Sequence, residues 1–409
     1  MSSTFSALNM AEQQIAELDA QLLRRKLRTT ESPCDIKASV GQRELKAFCS
    51  NDYLGLANHP QLVSAIAEGA KLYGVGSGAS HLISGHSIAH DLLEKKLASF
   101  ESKHIPNARA LFFSTGYLAN MNAITGLARL AGQGEVSIYS AKLNHASLID
   151  GVRLASAQTK AKVTLFDHQD LGSLEEVLRN DAHPLKLIVV DGVFSMDGDI
   201  APVAQLIQIA EQYDALLMVD DAHGFGVLGT QGHGILEQAQ VHSERIIYIG
   251  TLGKAAGVSG AFICAAAPFI EWLIQKGRPY IYSTATPPAI AHTLLTSLDL
   301  IESDEGVRRR QHLNQLIAVW REEMRFINWE KVSSFTPIQP VILGSNANAL
   351  AAAKLLDEAG YWIPAIRPPT VPVGSSRLRV TFSANHSLDD LRELIKTLKM
   401  IEQKIQGAS

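Results

Sequence analysis

Residues 246–254 read IIYIGTLGK, an apolar run followed by a lysine in a loop that two glycines bracket. An apolar run of this length predicts a buried strand of a parallel sheet. The next seven residues, 255–261, carry no charge that could solvate Lys254. Desolvation favours the neutral amine, whose lone pair forms a Schiff base with an aldehyde. The stretch therefore predicts a covalent role for Lys254, with a structural or phosphate-binding lysine as the alternative.

A second apolar run ends in charged residues. Residues 216–224 read LLMVDDAHG, which predicts a buried strand with two carboxylates and an imidazole at its carboxyl end. Ligands of open α/β sheets bind at this end of the strands. Asp220 is suited to keep the ring nitrogen of pyridoxal phosphate protonated, and His223 to reach its phenolic oxygen. A metal site is the alternative, but no ligand spacing was recognised, and no metal is predicted.

A third segment is suited to a phosphate group. Residues 110–117, ALFFSTGY, predict a strand and a small-residue turn, and the next ten residues repeat apolar side chains at helical spacing. The free amides at a helix N-terminus bind anions. Gly116 and Tyr117 are therefore candidate phosphate ligands, and Thr251 adds a hydroxyl. A plain turn with a cap residue remains the alternative for these positions.

Six blocks in the same order along the chain together resemble the α-oxoamine synthases, a family of pyridoxal-phosphate enzymes. The blocks are residues 50–56 (SNDYLGL), 74–78 (GVGSG), 144–147 (NHAS), 191–198 (DGVFSMDG), 220–224 (DDAHG) and 250–254 (GTLGK). The resemblance implies the fold type I architecture of pyridoxal-phosphate transferases, an α/β fold with a large, mainly parallel sheet flanked by helices and a smaller α+β C-terminal domain. It also implies a homodimer with active sites at the subunit interface.

The resemblance further implies roles around the coenzyme. Lys254 would hold the coenzyme and remove the α-proton of the substrate, and Asp220 would face the ring nitrogen. His145 would stack on the coenzyme ring and touch the substrate, although a histidine at that place also suits a helix start. The remaining coenzyme-binding positions implied by the family pattern are Gly116, Tyr117, Ser195, His223 and Thr251.

Substrate-binding positions are implied near both ends of the chain. Arg367 matches a guanidinium that grips a carboxylate with two hydrogen bonds, and Thr370 lies beside it in the sequence. Arg28 matches a substrate-binding arginine in the N-terminal basic run. His81 departs from the family pattern, in which many relatives carry arginine or a small residue.

Residues 365–372, AIRPPTVP, and 376–381, SRLRVT, resemble one branch of the family. That branch implies condensation of L-alanine with a pimeloyl thioester of coenzyme A or acyl carrier protein. The condensation releases carbon dioxide and the thiol carrier and is a step of biotin synthesis. Another α-oxoamine synthase activity, such as glycine C-acetyltransferase, is the alternative.

Composition is consistent with these expectations. The 409 residues carry a net charge of -4 and no basic stripe, which argues against a nucleic-acid binder. The three cysteines lack paired spacing and the N-terminus lacks a signal-peptide pattern, so a reducing cytoplasm is expected. The apolar residues 260–270 are too few to span a bilayer, and no membrane association is expected.

Three regions are predicted along the chain: an N-terminal helical and β arm at residues 1–49, a large coenzyme-binding α/β domain at 50–295 and a small α+β domain at 296–409. Strands are predicted at 111–113, 163–166, 187–190, 216–219 and 246–249, and a C-terminal helix is predicted to be capped at Ser387. A nicotinamide dehydrogenase is rejected because residues 62–67, before the glycine loop, are helix-like. A non-catalytic protein of this fold is disfavoured because Lys254, Asp220 and Arg367 are all present.

Overall fold

The computed structural model describes residues 6–406, and the predictions for residues 1–5 and 407–409 lie outside this range. In chain order the strands are β1 (Lys37–Val40), β2 (Arg43–Ala47), β3 (Ala108–Phe113), β4 (Val136–Ala141), β5 (Lys162–Phe166), β6 (Leu185–Asp191), β7 (Ala215–Asp220), β8 (Ile246–Thr251), β9 (Ala261–Ala266), β10 (Glu330–Lys331), β11 (Ile338–Gly344), β12 (Tyr361–Trp362), β13 (Ala365–Ile366) and β14 (Ser376–Thr381). The helices are α1 (Ser6–Ala20), α2 (Pro60–Tyr73), α3 (Ile88–Glu101), α4 (Gly116–Leu127), α5 (Ala146–Thr159), α6 (Leu171–Arg179), α7 (Val203–Gln212), α8 (Ile235–Ala239), α9 (Ala267–Lys276), α10 (Arg278–Tyr282), α11 (Pro288–Glu302), α12 (Asp304–Glu323), α13 (Asn346–Glu358) and α14 (Leu388–Gln406), with a π-helical turn at His81–Gly85.

The larger sheet has the spatial order β3-β9-β8-β7-β6-β4-β5. Strands β8, β7, β6, β4 and β5 pair in parallel, whereas β9 is antiparallel to both of its neighbours. Parallel neighbours need long crossover connections, and helices α5, α7 and α8 lie in those that join β4 to β5, β6 to β7 and β7 to β8. Every residue of β4, β7 and β9 is buried, as expected for strands covered on both faces. The predicted mainly parallel α/β fold is confirmed.

The parallel strands bring functional residues to one edge of the sheet. Asp191 is the last residue of β6 and pairs in register with Asp220, the last residue of β7. Strand β8 is the next neighbour and ends at Thr251. Their carboxyl ends therefore form a common edge, which is where ligands bind in open α/β sheets.

By its internal contacts the chain divides into two units. One unit contains Asn51–Ser195 and Asp199–Leu313 and holds the larger sheet. The other contains the residues up to Ser50, the short segment Met196–Gly198 and the residues from Asn314 onward. The boundary expected near residue 296 falls within helix α11.

The unit without the larger sheet contains two small sheets, ordered β1-β2-β12 and β10-β11-β14-β13. Helix α14 begins as the sequence predicts, because the Ser387 hydroxyl accepts a hydrogen bond from the Asp390 amide at 3.0 Å. The apolar stripe predicted for this helix is buried and consists of Leu391, Leu394, Ile395 and Leu398. Helix α1 ends at Ala20 and has no buried residue, and Arg28 lies in irregular chain beyond it.

A buried ion pair links distant parts of this second unit. The Arg377 guanidinium donates to the Asp197 carboxylate at 2.6 Å and to the Met196 carbonyl at 2.9 Å. The Arg377 residue is only 4% exposed. Removing one partner of such a pair leaves an uncompensated buried charge, so this contact holds segment 196–198 against β14.

Two further observations concern the chemical character of the chain. Among residues 6–406, no helix combines the length with the apolar composition that crossing a bilayer requires. Cys34 is exposed, Cys49 is half-buried and Cys264 is buried in β9, and none of them forms a disulfide within the described range. Burial raises the pKa of the Cys49 thiol to about 12 and that of Cys264 well above its usual range.

Candidate active site

A cavity of about 180 Å³ lies at the carboxyl edge of the larger sheet. The ends of β6, β7 and β8 and the beginnings of α4 and α5 contribute to its wall. The lining residues are Gly116, Tyr117, Asn120, His145, Ser147, Asp191, Ser195, Asp220, Ala222, His223, Thr251 and Lys254. All of them belong to the unit that contains the larger sheet.

Lys254 is half-buried in the loop that follows β8. Backbone hydrogen bonds brace this loop, from the Leu252 amide to the Gly260 carbonyl at 2.8 Å and from the Gly257 amide to the Lys254 carbonyl at 2.8 Å. The Lys254 Nζ lies 2.8 Å from Nε2 of His223. The loop therefore fixes the lysine backbone while its amine contacts an imidazole.

The hydrogen bonds of His223 indicate which ring nitrogen carries the proton. The Tyr53 hydroxyl donates to Oδ1 of Asn51 at 3.0 Å, so its oxygen accepts from His223 Nδ1 at 2.6 Å. A neutral imidazole protonated at Nδ1 has its lone pair on Nε2. His223 Nε2 is thus the acceptor for a proton of Lys254 Nζ.

Asp220 lies 4% exposed at the end of β7. Its Oδ1 accepts from the Ala222 amide at 3.0 Å, and its Oδ2 accepts from Asn120 Nδ2 at 2.6 Å. Asn120 is buried on α4 and also donates to the Ser147 hydroxyl at 2.9 Å. These bonds hold the carboxylate in one orientation at the cavity wall.

Asp191 is a second buried carboxyl beside Asp220. Its Oδ2 accepts from the His145 amide at 2.6 Å, and its own amide donates to Asn144 Oδ1 at 2.9 Å. Burial, followed by the charge of Asp220, raises the pKa of Asp191 well above its usual range. Burial beside a second carboxyl group thus disfavours the charged form of Asp191.

His145 caps helix α5, because its Nδ1 accepts from the Ser147 amide at 3.3 Å. The helix-start alternative considered for this histidine is thus also its local role. Burial of the ring lowers the pKa of His145. The charge of Asp220 opposes this shift, and that of Lys254 adds to it. A neutral, planar imidazole consequently faces the cavity.

Helix α4 begins at the cavity wall. Thr115 caps it by accepting from the Leu118 amide at 3.2 Å, which leaves the earlier amides of Gly116 and Tyr117 without intrahelical acceptors. A Cβ atom at Gly116 would lie 2.9 Å from the Thr251 hydroxyl oxygen, so a larger residue would crowd this corner. The Tyr117 side chain itself is exposed and donates to Asp150.

The donor set of the cavity fits pyridoxal phosphate. It offers an amine for an aldehyde, a buried carboxylate for a pyridine nitrogen and a helix N-terminus with a hydroxyl for a phosphate. The buried Oδ1 of Asn120 has no hydrogen-bond partner among the described residues. An orphaned acceptor at the wall is characteristic of a site that is completed by a ligand.

The eight residues predicted to surround the coenzyme come together in this one cavity, and their individual roles stay predictions. The eight are Gly116, Tyr117, His145, Ser195, Asp220, His223, Thr251 and Lys254. Sequence reasoning missed Asn120, Ser147, Asp191 and Tyr53. The available signal for Asn120 was a polar residue one helical turn after Gly116, on the face that the apolar pattern assigns to the core.

Of the four residues predicted to bind substrate, His145 lies in the cavity wall, and Arg28, Arg367 and Thr370 lie in the other unit. The Arg367 guanidinium donates to the carbonyls of Leu22 and Arg24, the latter at 3.4 Å. Thr370 accepts from Arg25 at 3.4 Å.

Arg28 has an anionic partner in its own unit. Its guanidinium donates to Asp357 at 2.7 Å and lies over the Trp362 ring, 5.0 Å from the centroid. The Arg28 guanidinium is therefore in an ion pair, whereas the two hydrogen bonds described for Arg367 go to neutral carbonyl oxygens.

Comparison with known proteins identifies the class to which this fold and cavity belong. Residues 44–398 match the family described as aminotransferase class I and II, and the chain belongs to that family. It is 53% identical over 393 residues to the 8-amino-7-oxononanoate synthase of Janthinobacterium sp. (strain Marseille), covering 96% of this chain and 98% of the relative. It is similarly 53% identical over 407 residues to the enzyme of that name from Polaromonas naphthalenivorans (strain CJ2), covering 97% and 98%.

Solved structures agree with this assignment. The serine palmitoyltransferase of Sphingomonas wittichii superposes with a TM-score of 0.85 at 28% identity, covering 98% of both chains. The 8-amino-7-oxononanoate synthase of Francisella tularensis superposes with a TM-score of 0.72 at 29% identity, covering 89% of this chain and 98% of the other. The fold type I architecture and the α-oxoamine synthase resemblance predicted from the sequence are confirmed.

Proposed function

We propose that this chain condenses L-alanine with a pimeloyl thioester to give 8-amino-7-oxononanoate, carbon dioxide and the free thiol carrier, in biotin biosynthesis. The observation that carries the proposal is a cavity lined by Lys254, His223 and Asp220, in which Lys254 Nζ lies 2.8 Å from His223 Nε2. Relatives named for this activity are 53% identical over almost the whole chain. The enzyme is a pyridoxal-phosphate-dependent acyltransferase, so the cofactor predicted from the sequence is confirmed.

The lining residues account for coenzyme binding. Lys254 would supply the amine that attaches it, Asp220 would pair with its ring nitrogen, and the start of α4 with Thr251 would receive its phosphate. His145 would cover the ring, and Ser195 and His223 would hydrogen-bond to the phenolic oxygen. When bound, pyridoxal phosphate supplies an electron sink that stabilises a carbanion at the α-carbon of alanine.

The chain's own groups move the protons of the reaction. The Lys254 Nζ takes the proton from the α-carbon, and His223 Nε2 holds the resulting ammonium in place at 2.8 Å. Tyr53 keeps the His223 lone pair directed toward that amine. The neutral His145 ring restricts the substrate to one face without adding a charge.

Arg367 and Thr370 are proposed to receive the alanine carboxylate, and Arg28 is proposed to contact substrate. Arg367 is suited to this role because the Leu22 and Arg24 carbonyls that it contacts are neutral. A carboxylate makes a stronger, bidentate contact with a guanidinium than a neutral carbonyl does. Arg28 would have to exchange Asp357 for its ligand.

Assembly and location are also part of the proposal. A homodimer with shared active sites is inferred from the family resemblance, and a cytoplasmic location from the lack of paired spacing among the three cysteines. The mass of the protein in solution tests the first inference. A monomer of 44.3 kDa with full turnover would contradict shared active sites.

Two measurements test the activity. Borohydride reduction of the coenzyme-loaded protein should fix the coenzyme to one peptide containing Lys254, and Lys254→Ala should abolish this label, whereas Lys276→Ala should retain it. Turnover should then be compared for alanine, glycine and serine against pimeloyl and short acyl thioesters of coenzyme A and acyl carrier protein. A preference for glycine with a short acyl thioester would move the chain to glycine C-acetyltransferase activity.

A further inference from the structure

Three histidines converge outside the cavity around Lys254. His81 opens the π-helical turn, His86 follows that turn directly, and His90 lies in the first turn of α3. Each offers one ring nitrogen, and these three atoms all lie within 4.8 Å of one another. The Nδ1 atoms of His81 and His86 are 2.9 Å apart.

The rings are spaced as three ligands of one metal ion would be. Their centroids are separated by 5.2 Å for His81 and His86, 5.1 Å for His81 and His90, and 5.5 Å for His86 and His90. A Zn–N bond of about 2.0–2.1 Å places each ring centre about 3.2 Å from the metal, so tetrahedral ligands have centroids about 5.2 Å apart. The observed triangle matches that spacing.

We propose that His81, His86 and His90 form a binding site for a divalent transition-metal ion of the zinc class, separate from the coenzyme cavity. Three imidazoles suit zinc, copper or nickel, whereas magnesium and calcium require oxygen ligands. Three protein ligands also leave a fourth position open. His86 is exposed and gives the ion a path from solvent.

Groups around the cluster supply the outer contacts that metal-binding histidines usually have. The Glu94 carboxyl lies one helical turn after His90, with Oε2 4.0 Å from His86 Nε2. Its Oε1 accepts from the Phe112 amide at 2.9 Å. His90 Nε2 is 2.7 Å from the Thr286 carbonyl, which accepts its proton. The Thr286 carbonyl therefore fixes the tautomer and orientation of the His90 ring, whereas the Glu94 carboxyl lies near His86 but beyond hydrogen-bond distance.

Metal binding at this cluster exchanges one set of contacts for another. The ion would replace the Nδ1 to Nδ1 contact between His81 and His86. His90 would coordinate through Nδ1 and give up the hydrogen bond that this atom accepts from the Ser87 amide at 3.0 Å. Its bond to Thr286 would remain.

The test is titration of the coenzyme-loaded protein with Zn²⁺ by calorimetry and with Co²⁺ by visible absorption. One equivalent should bind with a tetrahedral cobalt spectrum, while the absorption of the coenzyme stays unchanged. His86→Ala is the main variant because this residue is exposed and its loss leaves the fold intact. It should remove the cobalt spectrum.

The matched control is His242→Ala, an exposed histidine that contacts the Lys103 carbonyl at 2.8 Å and should bind metal as the unmodified chain does. Retention of the cobalt spectrum in His86→Ala would overturn the proposal. So would the absence of one-equivalent binding in the unmodified protein, or a change of the coenzyme absorption that tracks metal addition. In the last case the ion would occupy the coenzyme cavity instead.

Discussion

Replacing Tyr53 with phenylalanine tests the chain of contacts behind the reactive lysine. The substitution removes one oxygen from a fully buried ring and keeps the ring shape. That oxygen accepts from His223 Nδ1 at 2.6 Å, and His223 Nε2 contacts Lys254 Nζ at 2.8 Å. Without the hydroxyl, the imidazole loses the contact that sets its tautomer, and the alternative tautomer points a proton at the amine.

The size of the effect follows from the burial of these groups. A buried polar group left without a partner costs about 1–3 kcal/mol. If that free energy appears in the transition state, kcat/KM for L-alanine falls about 5- to 150-fold, at about 1.4 kcal/mol per tenfold change. Coenzyme attachment should persist, because Lys254 and Asp220 are unchanged.

The assay compares kcat/KM with the free energy of unfolding in two variants. Tyr139→Phe is the matched control, because Tyr139 is equally buried in the same unit and donates to Asp181 at a place that does not line the cavity. We expect both variants to lose stability and only Tyr53→Phe to lose turnover. Unchanged turnover in Tyr53→Phe, or an equal loss in both variants, would refute the tautomer argument.

Three other substitutions test separate features. Gly116→Ala should weaken coenzyme binding in a spectroscopic titration because its Cβ would lie 2.9 Å from the Thr251 hydroxyl, whereas Gly76→Ala, with open space around it, should not; equal affinities would contradict the crowding. Burial raises the pKa of Asp221 from its ordinary 3.8 to about 8, so the stability that protonated Asp221 contributes is lost as the pH rises from about 4 to 8. In urea unfolding, the free energy of unfolding of Asp221→Asn should therefore change less with pH than that of the unmodified chain. Asp197→Ala should cost about 1.5–3 kcal/mol of unfolding free energy, because Arg377 loses a charged acceptor but keeps the Met196 carbonyl, whereas Glu44→Ala, from an exposed pair with Lys37, should cost about 0–1 kcal/mol; similar losses would show that burial does not strengthen the Arg377 contact.

Long apolar runs predicted the central strands well. The predicted strands at 187–190, 216–219 and 246–249 lie within β6, β7 and β8. Strand β4 was missed because its sequence, VSIYSA, carries serines at buried positions. Strand β9 was missed because its alanine-rich sequence has weak strand propensity, and only packing between β3 and β8 makes it a strand.

The cavity was predictable where a residue follows a strand or starts a helix. Lys254, Asp220 and His223 all follow apolar runs, so local sequence indicated their common edge. Asn120 and Tyr53 reach the site through tertiary contacts with Asp220 and His223, which are 100 and 170 residues distant in sequence. Local patterns cannot reveal contacts of that kind, because hydrophobic periodicity reports only which face of an element is buried.

The unequal environments of the three thiols have a practical consequence for biophysical work. Only a thiolate reacts readily with maleimides or nitroxide reagents, and burial suppresses that form at Cys49 and Cys264. Cys34 is the exposed member of the set. A fluorophore or spin label can therefore be attached at this single position of the natural sequence, without prior removal of the other cysteines.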